Sequence, residues 1–146
     1  MRNLLRTTRR LLGLSPMRRL LRRLREHGVD LSTLHAIELF GGSGTFHTVD
    51  YASRVASLEV WEVDRRYEAS LRHHLPAAHL RFVDTFAEIE RTTETFDMIV
   101  VDNPMSTWDG RCEHFDLFPS IFRLVKDRAI VVLNVIPQLT PAARER

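Results

Sequence analysis

The chain has 146 residues, of which 44% are apolar and 27% charged, so it is long enough to bury the core of one domain and too apolar for a disordered protein. A single cysteine excludes a disulfide framework or a cysteine-based zinc cluster, the histidines lack metal-ligand spacing, and no apolar run approaches the roughly 18 residues of a membrane span. With a formal net charge of +2, the composition favours a metal-free protein of the cytoplasm with no transmembrane segment.

The positive charge is concentrated at the N-terminus. Residues 1–28 contain nine arginines and one acidic residue, Glu26, so this segment carries a charge of +8 and leaves −6 for residues 29–146. Charge asymmetry of this kind is typical of an arm that contacts a partner beside a folded body. We therefore divide the chain into a basic arm, 1–28, and a domain, 29–146.

The second half of the basic arm predicts an amphipathic helix. Ser15 and Pro16 form a helix start signal, and apolar residues from Met17 to Leu24 recur at helical spacing with arginines between them. Three interpretations stay open: the apolar face packs on the domain, the arginines bind the phosphates of RNA or another polyanion, or the helix lies on an anionic membrane surface. The first 14 residues, rich in arginine and free of acids, also resemble a targeting presequence.

A strand predicted at 36–40, with the sequence AIELF, leads directly into the glycine-rich turn GGSGT. Gly42 and Gly44 lack side chains where a ligand must approach the backbone closely. The turn is not a dinucleotide fingerprint, because His47 stands in place of the third glycine, and the chain lacks the Gly-Lys pair of a Walker loop. Thr45 likewise excludes a nucleophile elbow.

Glu38 lies inside this apolar strand, between residues that we expect to be buried. A carboxylate in such a position needs a polar partner or a raised pKa, because an isolated buried charge is strongly unfavourable. Acidic residues are seldom fully buried without a reason. We therefore expect Glu38 to have a functional role.

Acidic residues also follow the next two predicted strands. The strand at 57–62 ends at Glu62, with Asp64 two residues on, and the strand at 79–83 is followed by Asp84. Each carboxylate fits either a ligand contact or the start of the helix that follows it. For Glu62, the ribose hydroxyls of a nucleotide-type ligand are the favoured partner.

Strands and helices alternate along the rest of the chain. Apolar strands at 97–102 and 129–135 complete a set of five. Helices are predicted near 45–55, 65–74, 85–90 and 114–125. Right-handed crossovers join such strands into an α/β fold with a doubly wound, mostly parallel sheet of order 3-2-1-4-5. A ligand would bind at the switch point between strands 1 and 4, where Asp102 ends the fourth strand.

The glycine turn resembles the first motif of the class I S-adenosylmethionine (SAM) dependent methyltransferases, in which an acidic residue, a phenylalanine and two glycines stand at alternate positions. The resemblance extends over residues 36–136. It implies that residues 29–146 form a Rossmann-like domain and that the cofactor is SAM. The cofactor-binding residues that it implies are Glu38, Phe40, Gly42, Gly44, Glu62, Asp64 and Asp84.

The fourth strand, FDMIVVDNPM, is similar to the motif that ends the fourth strand in the same family. This similarity implies that Asp102, Asn103 and Pro104 are the catalytic residues, with Asp102 or Asn103 orienting the methyl acceptor. The acceptor is not identified, and both a small molecule and an RNA bound by the basic arm are compatible with the sequence. Two other functions stay open: an aminopropyl transferase of the spermidine synthase type, and a noncatalytic SAM-fold module that binds a partner.

Methyltransferases of this type carry two further strands after the fifth, which form an antiparallel hairpin at the edge of the sheet. This chain ends soon after the sequence NVIP of its fifth strand. We therefore expect either a truncated chain, or an exposed edge of strand 5 that a second copy covers in a homodimer.

Overall fold

The structure is a computed structural model that describes residues 15–102, 107–108 and 111–134, with side chains described in the last range from residue 115 onward. Two of the predicted catalytic residues, Asn103 and Pro104, lie outside the described residues. The predicted end of strand 5, at residue 135, and the residues that follow it also lie outside the described residues, so the expectation about an edge hairpin is not tested.

A five-stranded sheet forms the centre of the fold. Its strands are β1 His35–Leu39, β2 Ser57–Glu62, β3 His79–Phe82, β4 Phe96–Val101 and β7 Val125–Leu133. All pairings in it are parallel, and the order β3-β2-β1-β4-β7 is the doubly wound order that the sequence predicts. A separate antiparallel pair consists of β5 Thr107–Trp108 and β6 Arg111–Cys112. The predicted fold class is confirmed.

Helices cover both faces of the sheet. They are α1 Pro16–Glu26, α2 Thr48–Tyr51, α3 Glu68–His74, α4 Thr85–Ile89 and α5 Glu113–Leu117, with 3₁₀ turns at Leu31–Thr33, Arg65–Tyr67 and Ile121–Leu124. Successive β1 side chains point to opposite faces, so Ala36 joins one buried cluster and its neighbour Ile37 joins the other. Both faces are buried most completely in the central strands β1 and β4, whose sequences are accordingly the most apolar.

Two predicted helices are shorter than the sequence pattern indicates. The helix predicted near 45–55 is confined to α2, and the turn before it holds Gly44 in a left-handed conformation with φ of 70°. The helix predicted at 114–125 is divided into α5 and a 3₁₀ turn, and β7 begins at Val125 rather than at residue 129. Pro119 lies at the division, and a proline inside a helix removes a backbone hydrogen bond and clashes with the preceding turn.

Helix α1 is attached to the domain along its apolar face. It begins at Pro16 with Ser15 as its N-cap, as the start signal predicts. Met17 and Leu21 are buried in the same cluster as Ala36. On the adjoining side, the Ser15 hydroxyl donates to Asp50 Oδ2 at 2.7 Å. The first of the three interpretations of the arm, packing of its apolar face on the domain, is therefore the one that the structure shows.

Strand β7 forms one edge of the central sheet, and no other described strand pairs with its outer side. A homodimer through this edge stays a prediction. Within the described ranges, no helix combines the length and the apolar character that crossing a membrane requires.

Candidate functional site

The turn after β1 brings the backbone across the carboxyl ends of β1 and β2. Phe40, Gly42 and Gly44 all have positive φ, and the Gly41 amide donates to the Trp61 carbonyl at 2.9 Å. For a bulky residue such as Phe40, with φ of 65°, this conformation is unfavourable and persists only where its surroundings enforce it. Its ring packs against Phe86, with 6.0 Å between ring centroids. The turn is thus held in one shape by backbone and ring contacts.

The three glycines of this turn are required for different reasons. A Cβ on Gly41 would lie 2.2 Å from Val60 Cγ1, which is a severe clash. One on Gly44 would lie 3.1 Å from Leu71, so this glycine allows close packing of α3. At Gly42, in contrast, no described atom comes within 4 Å of a Cβ. Gly42 therefore borders the open space at the carboxyl edge of the sheet, where a ligand could approach the backbone.

Glu62 ends β2 next to this glycine. Its side chain is almost fully buried, with 7% of the residue exposed. Oε2 accepts from the Gly42 amide at 2.6 Å, and Oε1 accepts from the Asp64 amide at 2.8 Å. Each carboxylate oxygen has a second lone pair, so the side chain is held rigidly and can still accept hydrogen bonds from two hydroxyl groups.

Asp64 and Asp84 both act as N-caps. Asp64 Oδ1 accepts from the Arg66 amide, and hydrogen bonds from the Arg66 side chain and backbone lower the pKa of the Asp64 carboxyl. Asp84 Oδ1 accepts from the amides of Phe86 and Ala87 at 2.9 and 3.2 Å. Both bonds end on the same oxygen, so Oδ2 of Asp84 accepts neither of them. The predicted ligand contacts of these two residues stay predictions.

Glu38 has polar partners and also a raised pKa, although its position in an apolar strand requires only one of the two. It is 3% exposed, the Thr48 hydroxyl donates to Oε1 at 2.8 Å, and the Tyr51 hydroxyl donates to Oε2. Burial raises the pKa of Glu38 to about 8, although the two hydrogen bonds act in the opposite direction. Burial, followed by the nearby Glu38, also raises the pKa of Tyr51 well above its usual value.

Both oxygens of Glu38 are engaged by side chains of α2. The carboxyl group therefore joins the central strand to the helix that follows the glycine turn. Its predicted role in binding the cofactor stays a prediction. In the structure, its direct effect is to hold α2 against β1.

Asp102 follows β4 and is held by two residues that are distant in the sequence. The ring Nδ1 of His47 lies 2.8 Å from Oδ2, and Nδ2 of Asn134 donates to Oδ1 at 2.9 Å. The Asp102 side chain is 7% exposed and that of His47 is 25% exposed. Sequence reasoning did not select His47 or Asn134 as site residues. The sequence offered one signal for His47, because this residue occupies the position of the third glycine in the dinucleotide fingerprint.

The site thus collects two carboxylates, Glu62 and Asp102, at the ends of β2 and β4 on either side of the glycine turn. The segments that follow β1 and β2 expose large apolar side chains: Phe46 is 53% exposed, and Val63 and Tyr67 are exposed to 38% and 39%. In the part of the chain that the structure describes, no group of histidine, cysteine or acidic side chains could hold a metal ion. Carboxylates in this arrangement can accept hydrogen bonds from hydroxyl groups and attract a positive charge.

No protein-family model and no curated protein sequence matches the chain. Solved structures match its fold. A SAM-dependent methyltransferase from Agrobacterium tumefaciens has a TM-score of 0.60 and 17% identity, and the match covers 88% of this chain and 47% of that one. TrmN from Thermus thermophilus has a TM-score of 0.60 and 16% identity, with coverage of 77% and 36%. Ribosomal protein L11 methylase from Lactobacillus delbrueckii subsp. bulgaricus has a TM-score of 0.59 and 13% identity, with coverage of 75% and 55%.

These similarities show that the chain has the fold of the class I SAM-dependent methyltransferases, as its motifs predict. The chain spans only 36% to 55% of the length of the three proteins. At 13% to 17% identity, the shared property is the fold. Proteins with one fold can catalyse different reactions, so the reaction of this chain depends on the residues of its own site.

Proposed function

We propose that the chain binds SAM at the carboxyl edge of the sheet and transfers its methyl group to an acceptor. The observation that carries this proposal is the buried Glu62 carboxylate, fixed 2.6 Å from the amide of Gly42, which borders open space. In doubly wound sheets, ligands bind where the strand order reverses, and here that point lies between β1 and β4. The Glu62 carboxylate can bind the ribose hydroxyls of an adenosyl group, and the absence of a side chain at Gly42 lets the ligand approach the backbone.

The residues at this edge supply complementary contacts. The remaining lone pairs of Glu62 can accept hydrogen bonds from two ribose hydroxyls. Oδ2 of Asp84 can accept one from an adenine amino group, and the exposed Tyr67 ring offers an aromatic face. The negative charges at the ends of β2 and β4 favour a ligand that carries a positive sulfur. The residues present therefore fit SAM.

When bound, SAM would supply an electrophilic methyl group, so the protein has to align an acceptor and accommodate its proton. Asp102 is suited to this task because His47 and Asn134 fix its two oxygens. A carboxylate held in this way can orient an acceptor hydroxyl or amine by hydrogen bonding. His47 and Asn134 are then positioning residues for Asp102.

Calorimetric titration of the purified chain tests this function. We expect binding of SAM and of its demethylated product, and little or no binding of NAD, because the turn lacks the third glycine of the dinucleotide fingerprint. Tighter binding of decarboxylated SAM would favour the aminopropyl transferase. The absence of binding by all of these compounds would contradict the proposal and favour a noncatalytic module.

Replacing Glu62 with alanine should weaken SAM binding by about 1 to 3 kcal/mol, which is the range for losing hydrogen bonds to a buried charged group. Calorimetric titration measures the change. Glu94→Ala is the matched control, because Glu94 is an exposed carboxylate beside His35 and Ser57, at the opposite edge of the sheet. Thermal unfolding must show that both variants are folded at the temperature of titration. A folded Glu62→Ala variant with unchanged affinity would exclude Glu62 as the ribose ligand.

A further inference from the structure

Helix α1 presents a face of positive charge that the described acidic residues compensate only in part. Arg19, Arg22, Arg23 and Arg25 are exposed, and the first three lie on the side of the helix away from its buried residues Met17 and Leu21. The only acidic residue of the helix, Glu26, lies 3.8 Å from Arg22. No described carboxylate forms an ion pair with the other three. The domain as a whole is acidic, so this face is a localised basic patch and not part of a generally positive surface.

The helix is held rigidly while it presents this face. Asp50, which is 3% exposed, accepts from the Ser15 hydroxyl at 2.7 Å and from Arg18 Nε at 2.9 Å. These bonds join α1 to α2, and the apolar face of α1 contributes to the core. The arginine side chains therefore project from a fixed backbone, which reduces the conformational entropy lost when they bind a partner.

The burial of the apolar face decides between two kinds of anionic partner. A helix that lies on a membrane inserts its apolar face into the lipid. In α1 that face is occupied, with Met17 and Leu21 buried against the sheet. The exposed arginines leave a partner mainly charge and hydrogen-bond donors to contact. It suits a polyanion dissolved in water.

Helix α1 also packs on the element that directly follows the candidate site. Helix α1 packs on α2, and α2 begins directly after His47, which contacts Asp102. Phe46, one residue earlier, exposes 53% of its surface. Basic side chains that follow a phosphate backbone, together with an exposed aromatic ring on which a base can stack, are the combination that binds single-stranded nucleic acid. Proteins that recognise RNA sequences usually contact unpaired bases, which are free to stack on such a ring.

We propose that the arginine face of α1 binds the phosphate backbone of single-stranded RNA. The guanidinium groups form charge-assisted hydrogen bonds with phosphate oxygens. This binding requires no SAM, so it is a property separate from the proposed methyl transfer and can be tested without it.

Fluorescence anisotropy of the full chain with a labelled, mixed-sequence RNA of about 20 nucleotides tests the proposal, since that length exceeds common single-strand site sizes. The variant is Arg19→Gln with Arg23→Gln. Its matched control is Arg91→Gln with Arg128→Gln, which removes the same charge from exposed arginines outside α1. We expect the α1 variant to bind about tenfold more weakly and to lower the slope of log affinity against log salt by about 1.4, because each lost phosphate contact contributes roughly 0.7. The control should remain within about twofold of the unchanged chain.

Equal losses in the two variants would overturn the proposal, because they would show that overall charge determines binding. Tighter binding to single-stranded DNA of the same sequence would overturn RNA as the partner. Binding to anionic phospholipid vesicles in place of RNA would establish a membrane surface instead. All four substituted arginines are exposed, and a melting curve for each variant verifies that the fold is intact. SAM titration of the same variants, with unchanged affinity expected, keeps this result distinct from the test of methyl transfer.

Discussion

Replacing Glu38 with glutamine should make the domain more stable at pH 8 and remove much of the pH dependence of its stability. Burial raises the pKa of Glu38 from 4.5 to about 8 in the folded protein. Between these values the folded state keeps the proton and the unfolded state has lost it, so stability falls as pH rises and levels off above the folded pKa. A shift of this size corresponds to about 5 kcal/mol.

Glutamine imitates the protonated form of Glu38. Its amide oxygen can accept from Thr48, and its NH₂ group can donate to the Tyr51 hydroxyl, so the contacts with α2 are kept. Urea unfolding of the variant and the unchanged chain at intervals from pH 5 to pH 9 measures the difference. The variant should gain stability relative to the unchanged chain as pH rises. Glu94→Gln, at an exposed site, controls for the loss of a charge, and parallel curves for all three proteins would contradict the prediction.

Alanine at Gly41 should destabilise the fold by about 3 kcal/mol or more, whereas alanine at Gly42 should mainly weaken ligand binding. At Gly41 the new Cβ would lie 2.2 Å from a methyl group of Val60, which is buried and fixed in β2. Overpacking of a core usually costs about 1 to 3 kcal/mol, and this contact is severe. At Gly42, with φ of 53°, the left-handed backbone costs alanine about 1 to 2 kcal/mol, and the methyl group would project into the space proposed for SAM.

Thermal unfolding and SAM titration of the two variants separate these effects. Gly41→Ala should lower the melting temperature by roughly 10 °C, since 1 kcal/mol corresponds to about 2 to 4 °C for a domain of this size. Gly42→Ala should lower it less and reduce SAM affinity more. If Gly41→Ala reduced SAM affinity more than Gly42→Ala did, and Gly42→Ala lowered the melting temperature more, the open space beside Gly42 could not be the ligand site.

The sheet can be predicted from the sequence because its central strands are short apolar runs followed by a clear signal, such as AIELF before GGSGT. The start of α1 is equally local, since Ser15 and Pro16 act within one helical turn. The bounds of α5 were mispredicted, although Pro119 is visible in the sequence. There the apolar pattern of residues 114–125 suggested one helix, but a proline inside that range is incompatible with it.

The contacts of the site were harder to predict because they join distant segments. Asp102 is 55 residues from His47 and 32 from Asn134, and no local pattern connects these positions. The need for a glycine at position 41 depends on Val60, which lies on the next strand. By contrast, Glu38 could be singled out because a carboxylate in an apolar strand violates a local rule. Which hydroxyl groups would contact it became clear only from the packing of α2.

The packing of α1 on the domain determines which substitutions this segment can accept during evolution. Its 11 residues carry two separate sets of constraints on opposite sides. Substitutions at Met17 or Leu21 affect folding, because these side chains fill the core. Substitutions at the exposed arginines leave the core intact and are limited only by what those side chains bind. In a mutational scan of α1, substitutions on the buried face should therefore lower the abundance of the protein. Substitutions on the arginine face should weaken partner binding and leave abundance unchanged.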